Sequence, residues 1–582
     1  MTRIYIIATA LLILTSCYNK RKDVAINTYQ EADLSNASED PLWERTGRGL
    51  HASFGSTDVR YSKYKVPMEI VVKDFELTAW KGERINTQIV LWTVSDIKQV
   101  ECVWQPLVSE NGDTISTTKI NTRFVRYVIA DKYGNGCGER TNDPTNAHLV
   151  ADVLDQLPAM DMVAHTVRPV WVSFDVPEDV SPGKYTSSVK IYSKKNSPQE
   201  LRLTLNVQNK QIPSCDQQKF HLNLRQNPLA IALWHDVKPW SEEHFKVMKP
   251  YMRLLAEAGQ KSVSCLLYEG VNEDVTFNLP TSMIQWVRTS NGKWKFDYSV
   301  LEKWINFMQE NGIDKHINLY SILPLNKQLF YRNEKDGQSN LISLKEDSEL
   351  RREILKTYFA NLRQFLADKG WMEKTSIVIE DKNQEDLSDF IYWMRKYEPD
   401  FKITLITKRY RPDLLDSVQH LGLSAQYISA ESMLELLEVD DTKTSLTIDC
   451  SLERPNLFSF SSPAEATWFG WFAAAHGLDG LYYSGFNDWN ANPLIDGRSI
   501  YAPAGANALV YPDCRSSIRF EKLKEGIQDY EKLNVLSKDF TSNDLEELAK
   551  IQARFTVHRM NDNEAEIVVK KGREIINKLS ER

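Results

Sequence analysis

The sequence predicts a multidomain chain: an N-terminal antiparallel β-sandwich, then a (β/α)8 barrel, then a C-terminal helical extension. Three observations predict it. From Pro41 to Pro213 short strand-like runs are separated by turn residues, with few helical patterns. After Pro213, strand-like and helix-like runs alternate eight times. From about Asn543 the pattern is helical only.

In the sandwich, expected over 41–213, Val66–Val72, Gln88–Trp92, Val170–Phe174 and Leu201–Val207 read as strands. Pro182-Gly183-Lys184-Tyr185 is a turn signal. The barrel is expected over 214–535, a span of about 320 residues and within the range of that fold. Its strands read as Phe220–Leu224, Ser262–Tyr268, His316–Leu323, Ser376–Asp381, Lys402–Thr407, Ala425–Ser429, Ser445–Cys450 and Gly480–Phe486. Gly270 to Lys293 reads as an irregular loop. Ser241 caps a helix whose Phe245, Met248, Met252 and Leu255 share one face. Ser462-Pro463-Ala464-Glu465 opens another as a capping box, and Arg515 to Leu533 forms a long helix. The tail, 536–582, reads as two helices with Leu545, Leu548 and Ile551 on one stripe.

The first residues carry an address. Arg3 precedes an apolar run, Ile4 to Leu14, too short to span a bilayer. Leu14-Thr15-Ser16-Cys17 then resembles a bacterial lipoprotein signal, which implies cleavage after residue 16 and a lipidated Cys17. Residues 1–17 are expected to be that signal and 18–40 a flexible tether. The expected location is the outer membrane, on its periplasmic or cell-surface face, with lipid as the sole membrane contact. A net charge of −8 without a basic block argues against a nucleic-acid partner. The six cysteines after Cys17 are scattered, show no metal-ligand spacing and suit core packing, although an exported protein could form a disulfide. No metal and no cofactor is expected.

Glu380 and Asp381 are the most informative pair. The apolar run Ser376-Ile377-Val378-Ile379 stops at two adjacent carboxylates, at the expected C-terminal end of a barrel strand. Barrel active sites are built there. Other expected strand ends and the loops after them offer Asn227, His235, Tyr268, Tyr320, Asn487, Trp489, Asp496 and Arg498. Together they suit a neutral sugar: aromatic floor, polar walls, carboxylates at the reacting bond. Neighbouring carboxylates on a strand point to different sides, unlike the separated pair of ordinary glycosidases. One acid can protonate the glycosidic oxygen while the other holds the substrate's 2-acetamido group, whose carbonyl oxygen attacks the anomeric carbon. The alternative stays open that the pair only caps the following helix. Trp489 is sugar floor or barrel core; Asp496 and Arg498 contact substrate or each other; His235 is a site residue or a structural hydrogen bonder.

Further blocks carry a resemblance. They include Ala79-Trp80-Lys81-Gly82-Glu83-Arg84, Gln226-Asn227-Pro228, Val237–Ser241, Ala258–Lys261, Ser282-Met283-Ile284 with Trp286, and Asn318–Ser321. Trp468 to Gly480, Asn487-Asp488-Trp489, Asn492-Pro493-Leu494 and Arg515 to Gly526 form the strongest. The chain resembles glycoside hydrolase family 123 with its N-terminal sandwich. The resemblance implies β-N-acetylgalactosaminidase activity on glycan or glycoconjugate ends by substrate-assisted retention. It implies that an Asp-Glu dyad orients the acetamido group and supplies the general acid. Here the order is reversed, Glu380 then Asp381. The sequence also departs at Arg225 for an aromatic, at Leu325 for a Trp, at Tyr483-Ser484 for an Arg-Trp pair, and at Ala506 for an Asp.

Two functions follow. One is an exo-acting glycosidase for terminal β-linked N-acetylhexosamine, N-acetylgalactosamine favoured, with Glu380 and Asp381 catalytic. The other is a surface glycan-binding paralogue that is non-catalytic or altered in specificity, because the dyad is reversed and pocket residues are changed.

Overall fold

The computed structural model describes residues 25–34, 40–67, 70–131, 146–267, 282–320, 328–344, 349–381, 387–428, 442–448, 450–499, 502–557, 560–561 and 563–582. Two stacked sheets form the first domain. One orders Leu50–Gly55, Arg84–Thr93, Thr166–Asp175, Ile120–Ala130 and His148–Asp155; the other is built on Asp74–Lys81, Gln199–Gln211, Gly183–Tyr192 and Ile97–Trp104. Pairing is antiparallel except between Asp74–Lys81 and Gln199–Gln211, which run parallel. Alternate residues such as Ile89, Leu91, Val170, Val172, Leu203 and Leu205 fill the space between the sheets. Of the expected strand Val66–Val72, the described residues Val66, Pro67 and Ile70 to Val72 are not in a strand. Ile70 is 79% exposed, and pairing begins only at Asp74, where alternation gains an inner face. Lys184 and Tyr185 belong to a strand rather than a turn.

The second domain is a parallel eight-stranded barrel: β1 His221–Leu224, β2 Ser262–Leu266, β3 His316–Tyr320, β4 Thr375–Glu380, β5 Lys402–Thr407, β6 His420–Ser424, β7 Lys443–Thr447 and β8 Gly480–Tyr483. The sixth strand precedes the expected Ala425–Ser429, where a 3-10 turn, Ala425–Tyr427, follows. Gly422 hides it from pattern reading, and the position is tight: a Cβ there would lie 3.0 Å from Thr447 Cγ2 and 3.3 Å from Ile406 Cγ1. The connection from β5 to β6 holds a 3-10 turn, Pro412–Ser417, instead of the expected α-helix. The expected loop Gly270–Lys293 contains a strand, Gln285–Arg288, in a small four-stranded sheet built by the excursions after β2 and β3.

Side chains close the barrel. β1 and β2 share a single backbone bridge, Leu222 to Gln260. The Gln260 amide accepts from Leu224 N (2.9 Å) and donates to Leu224 O (3.2 Å), while Gln226 Oε1 accepts from Ser264 N (3.0 Å). Two glutamines thus substitute for missing ladder bonds and satisfy the seam's backbone groups.

Helices α1 Pro228–Trp234, α2 Glu242–Ala256, α3 Ser299–Glu310, α4 Glu349–Asp368, α5 Leu387–Tyr397, α6 Pro463–Ala475 and α7 Ile518–Leu536 are described on the outside. Ser241 caps α2 through His244 N (3.2 Å). Ser462 makes no side-chain cap on α6; Glu465 turns instead to Asn456 N (2.8 Å). Helix α7 lies between the domains and is buried almost all round. Its charges are therefore paired: Arg519 with Asp152 (2.8 Å), Glu521 with Arg123 (2.9 Å), Lys522 with Asp58 (2.8 Å). Ser516–Ser517, just before it, adds two residues to the first sandwich sheet. Helices α8 Ser542–Gln552 and α9 Glu564–Ser580 complete the tail. Leu548 is buried, but Leu545 is 53% exposed and lies off the expected stripe.

Part of the expected tether is docked. Glu31 pairs with Arg168 (2.8 Å), Lys63 (3.3 Å) and Arg126 (3.3 Å), and Tyr29 stacks under Arg126 at 4.2 Å. Burial opposes the Glu31 charge, but these cations outweigh it and hold its carboxyl down at about 2. Cys17 lies outside the described residues. Cys102, Cys215, Cys265 and Cys514 are free thiols, and Cys450 is disulfide-bonded.

The barrel floor carries His221, His316 and His420, with ring centroids 4.9–5.6 Å apart. Burial and then Lys443 lower all three, neighbouring imidazoles adding to this at His221 and His316, so that His316 falls to about 3 and His420 to about 4. The folded state keeps them neutral, whereas the unfolded chain protonates them below about pH 6.5. Stability is therefore fully present above pH 6.5 and is lost as pH falls toward 4. We expect urea unfolding to show a loss of at most about 1.4 kcal/mol per pH unit for each histidine in that window. Replacing His316 and His420 by Asn should flatten the slope; an unchanged slope would contradict this account.

Candidate active site

Seven of the cavity-lining residues come from the C-terminal ends of β1, β3, β4 and β5. The full lining is Arg225, Tyr320, Glu380, Asp381, Ile406, Thr407, Lys408, Thr447, Ile448, Tyr482, Tyr483 and Ser484, around about 180 Å3. That is below the roughly 300–1,000 Å3 typical of drug-sized ligands and suits one small ring.

The strand pleat places the two acids. Ser376 faces the barrel interior, where its hydroxyl meets that of Thr404 at 2.7 Å. Ile377 and Ile379 face outward into the core shared with the helices. Period two therefore aims Glu380 inward and Asp381 the other way. Asp381 stays in the ladder, its N–H donating to Ile406 O (2.8 Å), and its Oδ2 accepts from Thr407 Oγ1 (3.0 Å). Glu380 Oε1 lies 3.5 Å from Arg225 Nη1.

Arg225 continues the inward row of β1, its N–H held by Tyr483 O (2.9 Å) and its guanidinium 5.8 Å from the Tyr320 ring. Tyr320 ends β3 on the same inner row, 3% exposed, and its hydroxyl accepts from Asn223 Nδ2 (3.4 Å). Tyr483 donates to Ala506 O (2.5 Å). Burial pushes the phenols of Tyr320, Tyr482 and Tyr483 up, Tyr482 to about 12, so all three are neutral walls at ordinary pH. Lys408 lines the cavity and makes no ion pair among the described residues. The result is two carboxylates with different partners, two cations and an aromatic wall. One acid can exchange a proton while the other holds a polar group of a bound ring. Among the described residues no group of three or more His, Cys, Asp or Glu is placed to hold a metal ion.

Of the residues expected from sequence, the structure brings Glu380, Asp381 and Tyr320 together here. Tyr268 lies outside the described residues. The others are elsewhere. Asn227 is the N-cap of α1: Oδ1 accepts from Leu229 N (3.1 Å) and Ala230 N (3.2 Å), and Nδ2 donates to Asp488 (2.6 Å). Asn487, fully buried, exchanges two bonds with the Asn227 backbone (2.8 and 2.7 Å). Together they tie the loop after β8 to the start of α1. His235 ends α1 and faces the Tyr251 hydroxyl (3.3 Å); burial lowers its pKa. Trp489 is 4% exposed, donates to Val510 O (2.6 Å) and packs on Tyr251. Asp496 and Arg498 pair with each other (2.6 Å), in a loop whose backbone joins the sandwich at Ile129.

Thr407, Lys408 and Thr447 are among the lining residues that residue type alone passes over, while Arg225, Tyr483 and Ser484 stand out only as departures from the family pattern. Each directly ends or follows a barrel strand, so position was the available signal. A larger cavity, about 620 Å3, lies between sandwich and tail. Its charges are largely paired with one another, as in Lys532–Glu83 (2.6 Å) and Arg573–Asp529 (2.7 Å), so it is a domain junction.

The family model described as "Glycoside hydrolase 123, catalytic domain" matches residues 226–536, and "Glycoside hydrolase 123 N-terminal domain" matches residues 54–193. No curated protein sequence matches the chain. Among solved structures, a family 123 glycoside hydrolase from Clostridium perfringens, described in connection with glycolipid glycan hydrolysis, is similar at 22% identity and a TM-score of 0.81. The alignment covers 91% of this chain and 97% of that one. A family 39 glycoside hydrolase from Bacteroides cellulosilyticus WH2 aligns at 10% identity and a TM-score of 0.33, covering 70% and 80%.

The bonding of Asn227 gives a direct expectation. Asn227→Ala should cost about 1–2 kcal/mol in urea unfolding through the lost cap. Arg498→Ala, which breaks a partly exposed pair, should cost under about 1 kcal/mol. The reverse ranking would contradict these assignments.

Proposed function

The chain belongs to glycoside hydrolase family 123, and from that premise we propose an exo-acting hydrolase of terminal β-linked N-acetylhexosamine, N-acetylgalactosamine favoured, that retains configuration by substrate assistance. One observation carries the reading: Glu380 and Asp381 open into a single ring-sized cavity at a barrel mouth, one held by a cation and one by a hydroxyl. Glu380, beside Arg225, accepts the acetamido N–H and orients the carbonyl oxygen toward the anomeric carbon. Asp381 protonates the departing glycosidic oxygen, then accepts a proton from the water that opens the bicyclic intermediate. Thr407 fixes the Asp381 carboxyl. Tyr320 and Tyr482 form the wall against the ring. The substrate class is a glycan or glycoconjugate end, in keeping with the small volume at an open barrel mouth.

A second reading is favoured by the Arg225–Glu380 pair, which engages the acid that the first reading assigns to the acetamido group. On it the protein binds a glycan at the surface and does not cleave it. Aryl β-N-acetylgalactosaminide and β-N-acetylglucosaminide assays, with a galactoside control, separate the two. The first reading expects turnover of the acetamido substrates only, and a fall of about 10²–10⁴ in kcat for Asp381→Asn and for Glu380→Gln. Absence of turnover by the folded protein, with N-acetylgalactosamine still bound, would establish the second. Activity appearing only after the paired exchange Glu380→Asp with Asp381→Glu would identify the reversed order as the cause.

We further propose attachment to the outer membrane through a lipidated Cys17, supported by the apolar run that ends in Leu-Thr-Ser-Cys. Cys17→Ala should move the protein from the membrane fraction to the soluble fraction. Retention in the membrane would contradict the anchor.

A further inference from the structure

We infer that the cavity selects an amino sugar carrying an additional anionic substituent, a sulfate ester or a carboxylate, with Arg225 as the specificity-determining residue and Lys408 as the second cation. The inference rests on the glycosidase reading for the ring and adds to it the charge that the ring bears.

Arg225 is built into the site. Its backbone is held in the β1–β8 ladder by Tyr483 O, and its guanidinium lies against the Tyr320 ring. Its contact with Glu380, 3.5 Å, is longer than the roughly 2.7–2.9 Å of a tight charge-assisted hydrogen bond. A guanidinium has five N–H donors in a planar fork, so one loose contact leaves donors for a ligand. The side chain is 26% exposed, at the cavity. Lys408, from the end of β5, lines the same cavity and forms no ion pair among the described residues.

In the proposed reaction Asp381 enters as the acid, and the lining then carries two cations and one anion. A neutral ring would strip water from Arg225 and Lys408 and return no charge, which costs affinity. A single negative group brings the loaded site to neutrality. Sulfate and carboxylate both present the paired oxygens that a guanidinium fork binds. The rigid Tyr320 face behind Arg225 limits how far the fork can turn away.

Binding to the full chain tests this separately from turnover. Titration calorimetry at low and moderate salt would compare N-acetylgalactosamine with its 4-sulfate, its 6-sulfate and the corresponding 2-acetamido uronic acid. We expect at least one anionic form to bind about tenfold tighter or more than the neutral sugar, an advantage that salt weakens. Arg225→Met should bring that ratio close to one, Arg225→Lys should keep part of it, and Lys408→Met should reduce it. The sulfate and uronate arms identify which anion is preferred. Equal affinity for neutral and anionic sugars, or a ratio unaffected by Arg225→Met in a protein with wild-type circular dichroism, overturns the inference. Failure to cleave any acetamido substrate, anionic or neutral, would instead count against the catalytic reading and leave the binding ratio to decide this one.

Discussion

A fully bonded, buried guanidinium joins the two domains and shapes the mouth of the barrel. Arg519 is 1% exposed and reaches Asp152 on a sandwich strand with two nitrogens (3.0 and 2.8 Å). Its remaining donors go to the carbonyls of Leu457, Gly505 and Ala508, each at 2.8 Å. Asp152 is completed by Arg60 (3.0 Å) and the Tyr511 hydroxyl (2.7 Å). Burial pushes the Asp152 carboxyl up, but Arg519 and Arg60 outweigh it and hold it low. Desolvating such a pair is expensive, and it persists where every lone pair and proton is used. What the arrangement secures is position. The carbonyls lie in the loops after β7 and β8, and the next residue along, Ala506, receives the Tyr483 hydroxyl from the cavity wall. The sandwich thus acts on the site by fixing the loops that frame it, without contributing a described lining residue.

The same constraint explains how closely helices α6 and α7 approach. A Cβ on Gly470 would stand 1.9 Å from Gly526 O, so the helices touch backbone to backbone. That contact draws α7 against the barrel while its other side packs under Val125, Tyr127 and Trp171 of the sandwich. With both sides covered, the helix has no solvent face, and its charged residues serve as internal struts.

The sequence made the architecture legible where periodicity and burial agree. β5 was read to the residue because Ile403, Thr404, Ile406 and Thr407 give Lys402–Thr407 strong strand character. β4 was legible from its apolar run and abrupt acidic end. The sixth strand was displaced because its inner row, His420, Gly422 and Ser424, carries none of the usual strand formers. The barrel interior is polar, with Asn223, Ser264, Asn318 and Thr404 where bulky aliphatic residues are usual. Such residues look like loop until neighbouring strands supply their partners. That Glu380, Asp381 and Tyr320 line the cavity was readable because a barrel exposes strand ends. Asn227, Asn487 and Trp489 are held in structural bonds, because a polar or aromatic residue near a strand end also does structural duty. Only the hydrogen-bond partners distinguish a cap from a ligand contact. The reversed dyad was visible as letters, but its meaning depended on Arg225, whose approach to Glu380 no local pattern encodes.

The docked N-terminal segment has a consequence for reach. Thr28 bonds Asp155 (2.7 Å) and Glu31 is locked among three cations, so the chain is fastened to the domain from residue 28 onward. On the proposed attachment at Cys17, about 11 residues separate the anchor from that fastening, a span of no more than roughly 40 Å. The barrel mouth would then work within a thin shell above the bilayer. Headgroup-borne or densely packed surface sugars would fall inside that reach, and polymers farther out would not.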